Sequence, residues 1–234
     1  ILFGTSGPLA INVSLYNKVS YDPIKSFEPI IRIGHLPNVL VVHPNVPAQN
    51  VRELIAYAKT NKLTYASSGS GASSHLAGVL FNLVSGTDIQ HIPYKGTGPA
   101  LNDLLGGQVD ALFDSPATMA HVASGKLKVL GHGYDRPNAR LPKVPAISQA
   151  GIPALGPFMA GGWFGIFIPS ATPEAIQQRV YSDIRSVLDS REVREALGRT
   201  GVDARPMARA EFATFLQSEL DRWGPVIRSR NIRP

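Results

Sequence analysis

Three turns rich in glycine and hydroxyl residues hold the residues best suited to ligand chemistry. They are Gly4-Thr5-Ser6-Gly7, the run from Ser67 to Ser74, and Lys95-Gly96-Thr97-Gly98-Pro99. Each follows an apolar, strand-like run and precedes a helical pattern. In open α/β sheets that position, beyond the carboxyl end of a strand, is where ligands bind. The free N–H groups and the dipole of a helix N-terminus attract anions. Glycine lets a backbone approach closely, and serine or threonine adds donors. Thr5, Ser6, Ser68, Ser70, Ser73, Gly96, Thr97 and Gly98 are therefore candidates for holding a small anion such as a carboxylate. Any one of these turns taken alone also reads as an ordinary helix cap. Asp114 ends a strand just before Ser115-Pro116, where it either caps the next helix or accepts from a ligand amine or hydroxyl. Trp163, after Ala160-Gly161-Gly162, is either core or a flat wall over a ligand.

Catalytic patterns are missing. Gly69-Ser70-Gly71 does not make G-x-S-x-G, no Walker A motif occurs, and neither G-x-G completes a dinucleotide fingerprint. His35, His43, His75, His91, His121 and His132 form no H-x-x-x-H and no ligand-spaced pair with a carboxylate, so no metal and no cofactor is expected. His75, in the first helical turn beside the Gly-Ser run, is expected to pack or to support a cap, because an acid–base histidine needs a positioned partner.

The elements that must position these residues alternate. Strands are expected at Ile1–Phe3 (buried), Phe27–Ile33, Val39–Val42, Leu63–Ala66, Ile89–Tyr94, Val109–Phe113, Leu127–Leu130 and Trp163–Ile168. Helices are expected over 9–17, after Asn50, from His75 to Gly86, from Pro99, after Asp114 to about Ser124, from Pro173, after Ser190 to Gly201, and along Phe212–Ile227. Asn50 with Glu53 makes a capping box. Residues 134–160 read as a long loop. Strand–helix alternation gives an α/β class with mainly parallel sheets.

Composition narrows the function classes. The 234 residues carry 44% hydrophobic and 17% charged residues, which supports a packed core and excludes disorder. A net charge of +6 slightly favours anionic ligands and does not argue for nucleic acid. With no cysteine, disulfides and thiolate metal sites are excluded. No window is apolar enough to insert into a membrane. The chain opens directly on a strand-like run, as expected where upstream sequence is not represented.

The same turns lie in a longer pattern. Tyr21-Asp22-Pro23 through Phe27-Glu28-Pro29-Ile30, Val39–Pro44, the Ser67–His75 loop, His91-Ile92-Pro93-Tyr94-Lys95-Gly96-Thr97-Gly98-Pro99-Ala100 and Leu104-Leu105-Gly106-Gly107-Gln108-Val109-Asp110 follow one another in order. So do Gly125-Lys126-Leu127, Leu141 to Pro145 and Gly165 to Pro173. Across the whole chain this resembles the periplasmic receptors of tripartite tricarboxylate transporters, the Bug family. The resemblance implies a non-enzymatic, two-lobe type II periplasmic-binding-protein fold with crossing strands. Lobe one would be 1–40 with 161–234 and lobe two 41–160, with Val39–Val42 and Trp163–Ile168 near the crossings. It implies that a small organic acid is held between the lobes, by the loop residues named above and Asp114, and delivered to membrane transporter subunits. Family members carry a signal peptide and a further N-terminal strand–helix–strand segment, which the expected fold here lacks. A ligand-sensing effector domain of the same fold is the alternative reading.

Overall fold

Val39–Val42 is a run of four apolar, mostly β-branched residues, and all four are buried in a strand. The computed structural model describes residues 1–135, 138, 141–156 and 158–233. The chain folds into two units, Ile1–Leu36 with Gly162–Pro234, and Pro37–Gly161. The strands are β1 (Leu2–Thr5), β2 (Phe27–Pro37), β3 (Val39–Val42), β4 (Thr64–Ser67), β5 (Gln90–Pro93), β6 (Ala111–Asp114), β7 (Lys128–His132) and β8 (Gly161–Pro169). The helices are α1 (Asn12–Leu15), α2 (Val51–Ala58), α3 (Ser73–Ser85), α4 (Thr97–Leu105), α5 (Met119–Ala123), α6 (Glu174–Asp189), α7 (Arg191–Arg199) and α8 (Arg209–Ser229).

The unit Pro37–Gly161 is built on a five-stranded sheet ordered β5-β4-β6-β3-β7. β4 runs parallel to β5 and β6, whereas β3 runs antiparallel to both β6 and β7. The expectation of a mainly parallel sheet therefore fails at β3. A run of buried apolar residues reports burial on both faces and says nothing of strand direction. One face packs Val39, Val41, Ala66 and Leu112 against Leu104 and Ala100 of α4. The other carries Tyr65, Phe81, Phe113 and Phe158 as a cluster of aromatic rings. Gly78 lets α3 lie on that face, since a Cβ there would sit 2.2 Å from the Tyr65 ring. Asn50 caps α2, accepting from Glu53 N–H at 3.0 Å, while Glu53 accepts in return from Gln49 N–H at 2.7 Å.

The other unit holds a three-stranded sheet ordered β1-β8-β2, with β1 antiparallel to β8. β1 is an edge strand, and Ile1, Leu2 and Phe3 are 82%, 38% and 58% exposed, so the expected burial of this run is corrected. The strand also continues through Gly4 and Thr5, which pair with Gly165 and Phe164. Gly4 serves close packing rather than a turn, because a Cβ would lie 2.5 Å from Leu9. α6 and α7 cover Ile30, Ile31 and Ile168, and Phe212 and Phe215 of α8 pack with Trp163 and Phe167. α8 runs through Pro225 to Ser229. Among the described residues no helix is long and apolar enough to cross a membrane, and no group of three or more His, Asp or Glu residues could hold a metal ion.

Candidate functional site

Strand direction gathers the candidate residues of Pro37–Gly161 along one edge of its sheet. β4, β5 and β6 are parallel, so Ser67, Pro93 and Asp114 end at the same side. β3 starts there, with Val39 paired to Asp114 on one side and to His132 of β7 on the other. The Ser67–Ser74 loop and the Lys95–Gly98 loop both leave from this edge. They are joined by Gly96 N–H donating to Ser68 O at 3.2 Å and Tyr94 N–H to Ser67 O at 3.1 Å.

The Gly-Ser loop is held mainly by itself. Ser68 N–H donates to Ser74 Oγ at 3.0 Å, and the Ser68 and Ser74 hydroxyls are 3.1 Å apart. Gly71 N–H donates to His75 Nδ1 at 2.9 Å. Gly69 at φ 137° and Gly71 at φ 76° occupy backbone regions that favour glycine. From outside the loop, Asn38 Nδ2 donates to Ser73 O at 3.2 Å. Asn38 is itself fixed by a main-chain ring: its N–H donates to Ala160 O, Ala160 N–H to Gly133 O, and Gly133 N–H to Asn38 O. Ser70 is exposed and Ser73 half-buried, and among the described residues neither hydroxyl makes an internal hydrogen bond.

The helices leaving these loops start unlike α2. Neither α3 nor α4 has a side-chain cap or an acidic residue in its first turn. Their first N–H groups and dipoles thus keep a positive potential that Asn50 and Glu53 offset at α2. Thr97 and Gly98 are exposed at the start of α4, after Gly96 at φ 110°. Tyr94 OH donates to Asp103 Oδ2 at 2.6 Å, tying the base of this loop to α4, and that carboxylate holds the phenol up at about 12. Asp114 is buried; burial raises its carboxyl pKa, opposed by the Ser115 N–H. His132 is fully buried and accepts from Tyr134 N–H at Nδ1, and burial lowers its imidazole pKa.

In the other unit, Thr5 ends β1 and Ser6, 6% exposed, opens the helical segment that follows. Trp163 is 1% exposed, ringed by Phe167, Phe212 and Phe215, and its indole N–H donates to Glu219 Oε2 at 3.0 Å. Core packing accounts for its whole surface.

A sequence model described as "Tripartite tricarboxylate transporter family receptor" matches residues 2–232. The chain belongs to this receptor family. Protein BugT of Bordetella pertussis is 32% identical over 231 residues, covering 97% of this chain and 70% of that protein. Among solved structures, an R. palustris protein with adipate is 30% identical with a TM-score of 0.83, covering 99% of this chain and 78% of its own. MatC from Rhodopseudomonas palustris, with bound malate, is 30% identical with a TM-score of 0.77, over 96% of this chain and 78% of its own. The periplasmic binding protein BugD superposes with a TM-score of 0.80 at 28% identity, over 99% of this chain and 78% of its own. The chain is thus a solute-binding receptor with the fold of periplasmic binding proteins, and not an enzyme.

Within the receptor, Ser68, Ser70, Ser73, Gly96, Thr97, Gly98 and Asp114 share one sheet edge, whereas Thr5, Ser6 and Trp163 belong to the other unit. Asn38, His91 and Tyr94 carry no local sign of their roles in sequence. The spacing of Gly71 and His75, four residues apart across a helix start, was the one local pointer to a loop-supporting histidine.

Proposed function

We propose that this receptor captures a small organic carboxylate outside the cytoplasm and passes it to the membrane subunits of a tripartite tricarboxylate-type transporter. The carboxylate is held through the amides and hydroxyls of the Gly-Ser loop and of Gly96–Gly98. Thr5 and Ser6 are the candidates of the other unit for further contacts with the ligand. Asp114 takes a hydroxyl or amine of the ligand, or stays protonated beside it. Ligand binding favours one form of the receptor, which the transporter recognises.

The observation that carries the reading is the pair of adjoining helix N-termini, α3 and α4, without caps or acidic first-turn residues and joined by the Gly96–Ser68 hydrogen bond. Adipate and malate in the similar solved structures supply the first solutes to try. The test is calorimetry of the full chain with each acid, against the double variant Ser70→Ala, Thr97→Ala. Two hydrogen bonds to a charged group contribute about 1.5 kcal/mol each at the low end, so affinity should fall about 100-fold. Unchanged affinity would refute the assignment.

A further inference from the structure

His75 stands in the first turn of α3 and His91 on β5, and their rings stack with centroids 3.8 Å apart and planes 9° from parallel. Each ring bonds a different part of the Gly-Ser loop. His75 Nδ1 accepts the Gly71 N–H at 2.9 Å, so this nitrogen carries no proton and Nε2 does. His91 Nε2 lies 2.6 Å from Ser67 Oγ. Ser67, fully buried, receives the Gly69 N–H at 3.2 Å and lies 3.1 Å from Gly69 O. The two rings thus reach both limbs of the tight turn between Ser67 and Gly71.

We propose that His75 and His91 are the positioning residues of the Gly-Ser loop, holding it in its ligand-ready form only as a pair of neutral imidazoles. This rests on the reading of that loop as part of the ligand site. A proton on His75 Nδ1 turns the acceptor of the Gly71 N–H into a second donor, and that bond is lost. A proton on His91 then faces another cation across the stack. The surroundings give neither charge a counterpart. β4 presents the Tyr65 ring, 5.0 Å from His91, with its hydroxyl donating to His75 O, and the loop presents Ser67. Among the described residues no carboxylate, lysine or arginine side chain hydrogen-bonds or pairs with either ring. In keeping with this, burial pushes both imidazoles down to about 4, with the neighbouring His91 adding to the effect on His75.

Ligand-free full-length protein, labelled at histidine and glycine, is titrated by NMR from about pH 8 to about pH 3.5. Both rings should stay neutral well below the ordinary histidine range, with His75 as the Nε2–H form. The Gly71 amide should shift together with the His75 titration. Adipate binding at neutral pH is then compared for His75→Ala and His75→Asn, each first shown by circular dichroism to be folded. Asn offers an acceptor that does not titrate. His75→Ala should bind about tenfold more weakly, and His75→Asn within about threefold of wild type. Ordinary titration of either ring, or wild-type affinity in His75→Ala, overturns the proposal. So does a folded His75→Asn as impaired as the alanine variant. If the wild type binds neither adipate nor malate, the reading of the loop as a ligand site is what fails. The ring titration and the Gly71 amide still decide whether the pair holds the loop.

Discussion

Glu219→Gln should weaken the unit Ile1–Leu36 with Gly162–Pro234 by about 3 kcal/mol. The buried carboxylate accepts from Trp163 Nε1 at 3.0 Å and Trp223 Nε1 at 3.3 Å through Oε2, and pairs with Arg222 at 2.8 Å through Oε1. Arg222 also lies over the Trp223 ring, 4.3 Å from its centroid. Glutamine has the same shape, so no cavity forms. Its amide can present one oxygen to either the indoles or the guanidinium, and its NH2 then faces the other donors. Leaving a buried donor unpartnered costs about 1–3 kcal/mol, and losing a charged hydrogen bond about 1.5–3 kcal/mol. The Arg222 side chain is 24% exposed, so water compensates part of the second term. The sum is about 3 kcal/mol. The protein has 2 tryptophans, Trp163 and Trp223, so intrinsic fluorescence during urea unfolding reports this unit alone. With a slope of about 1.5 kcal/mol per molar urea, the midpoint should drop by roughly 2 M. A midpoint within about 0.3 M of wild type would show that Glu219 is not what holds the two indoles.

Two further expectations concern the unit Pro37–Gly161. Gly133→Ala places a Cβ 2.3 Å from Ala160 O, which must break the ring that fixes Asn38. The cost should be about 1–3 kcal/mol, read as a thermal midpoint lower by several degrees in far-ultraviolet circular dichroism; an unchanged midpoint would refute the close contact. Acidification should also destabilise this unit through His75 and His91. Their folded values of about 4 lie below the unfolded value of about 6.5, so between those limits the unfolded chain binds more protons and stability declines as pH falls. Asp114, raised by burial, contributes with the opposite sign. The contribution of His75 is therefore read as the difference between wild type and His75→Asn, which should lose less stability between about pH 6.5 and about pH 4; parallel losses would contradict the neutral, buried ring.

What sequence discloses here is what neighbours along the chain decide. Asn50 and Glu53 announce the start of α2 because both partners lie within one turn. Ser190 does the same for α7, accepting from Val193 N–H. The glycine and hydroxyl loops are legible because strand ends and helix starts adjoin in sequence. Direction and exposure are less so. Val39–Val42 shows its burial but not that β3 runs against both neighbours, and Ile1–Phe3 looks like core while lying on an open edge. Trp163 is explained by a carboxylate 56 residues away, and Ser73 by an asparagine 35 residues before it. Pairs at such separations leave no periodic trace, because only the folded sheets bring them together.

The interleaving of β1, β8 and β2 sets an order on synthesis. β8 lies between the other two strands of its sheet, yet it leaves the ribosome only after all of Pro37–Gly161. The five-stranded half can complete itself from one uninterrupted stretch, while β1 and β2 wait beside it with unpaired edges. Until β8 is in place, β1 and β2 present open edges that can mispair with other chains.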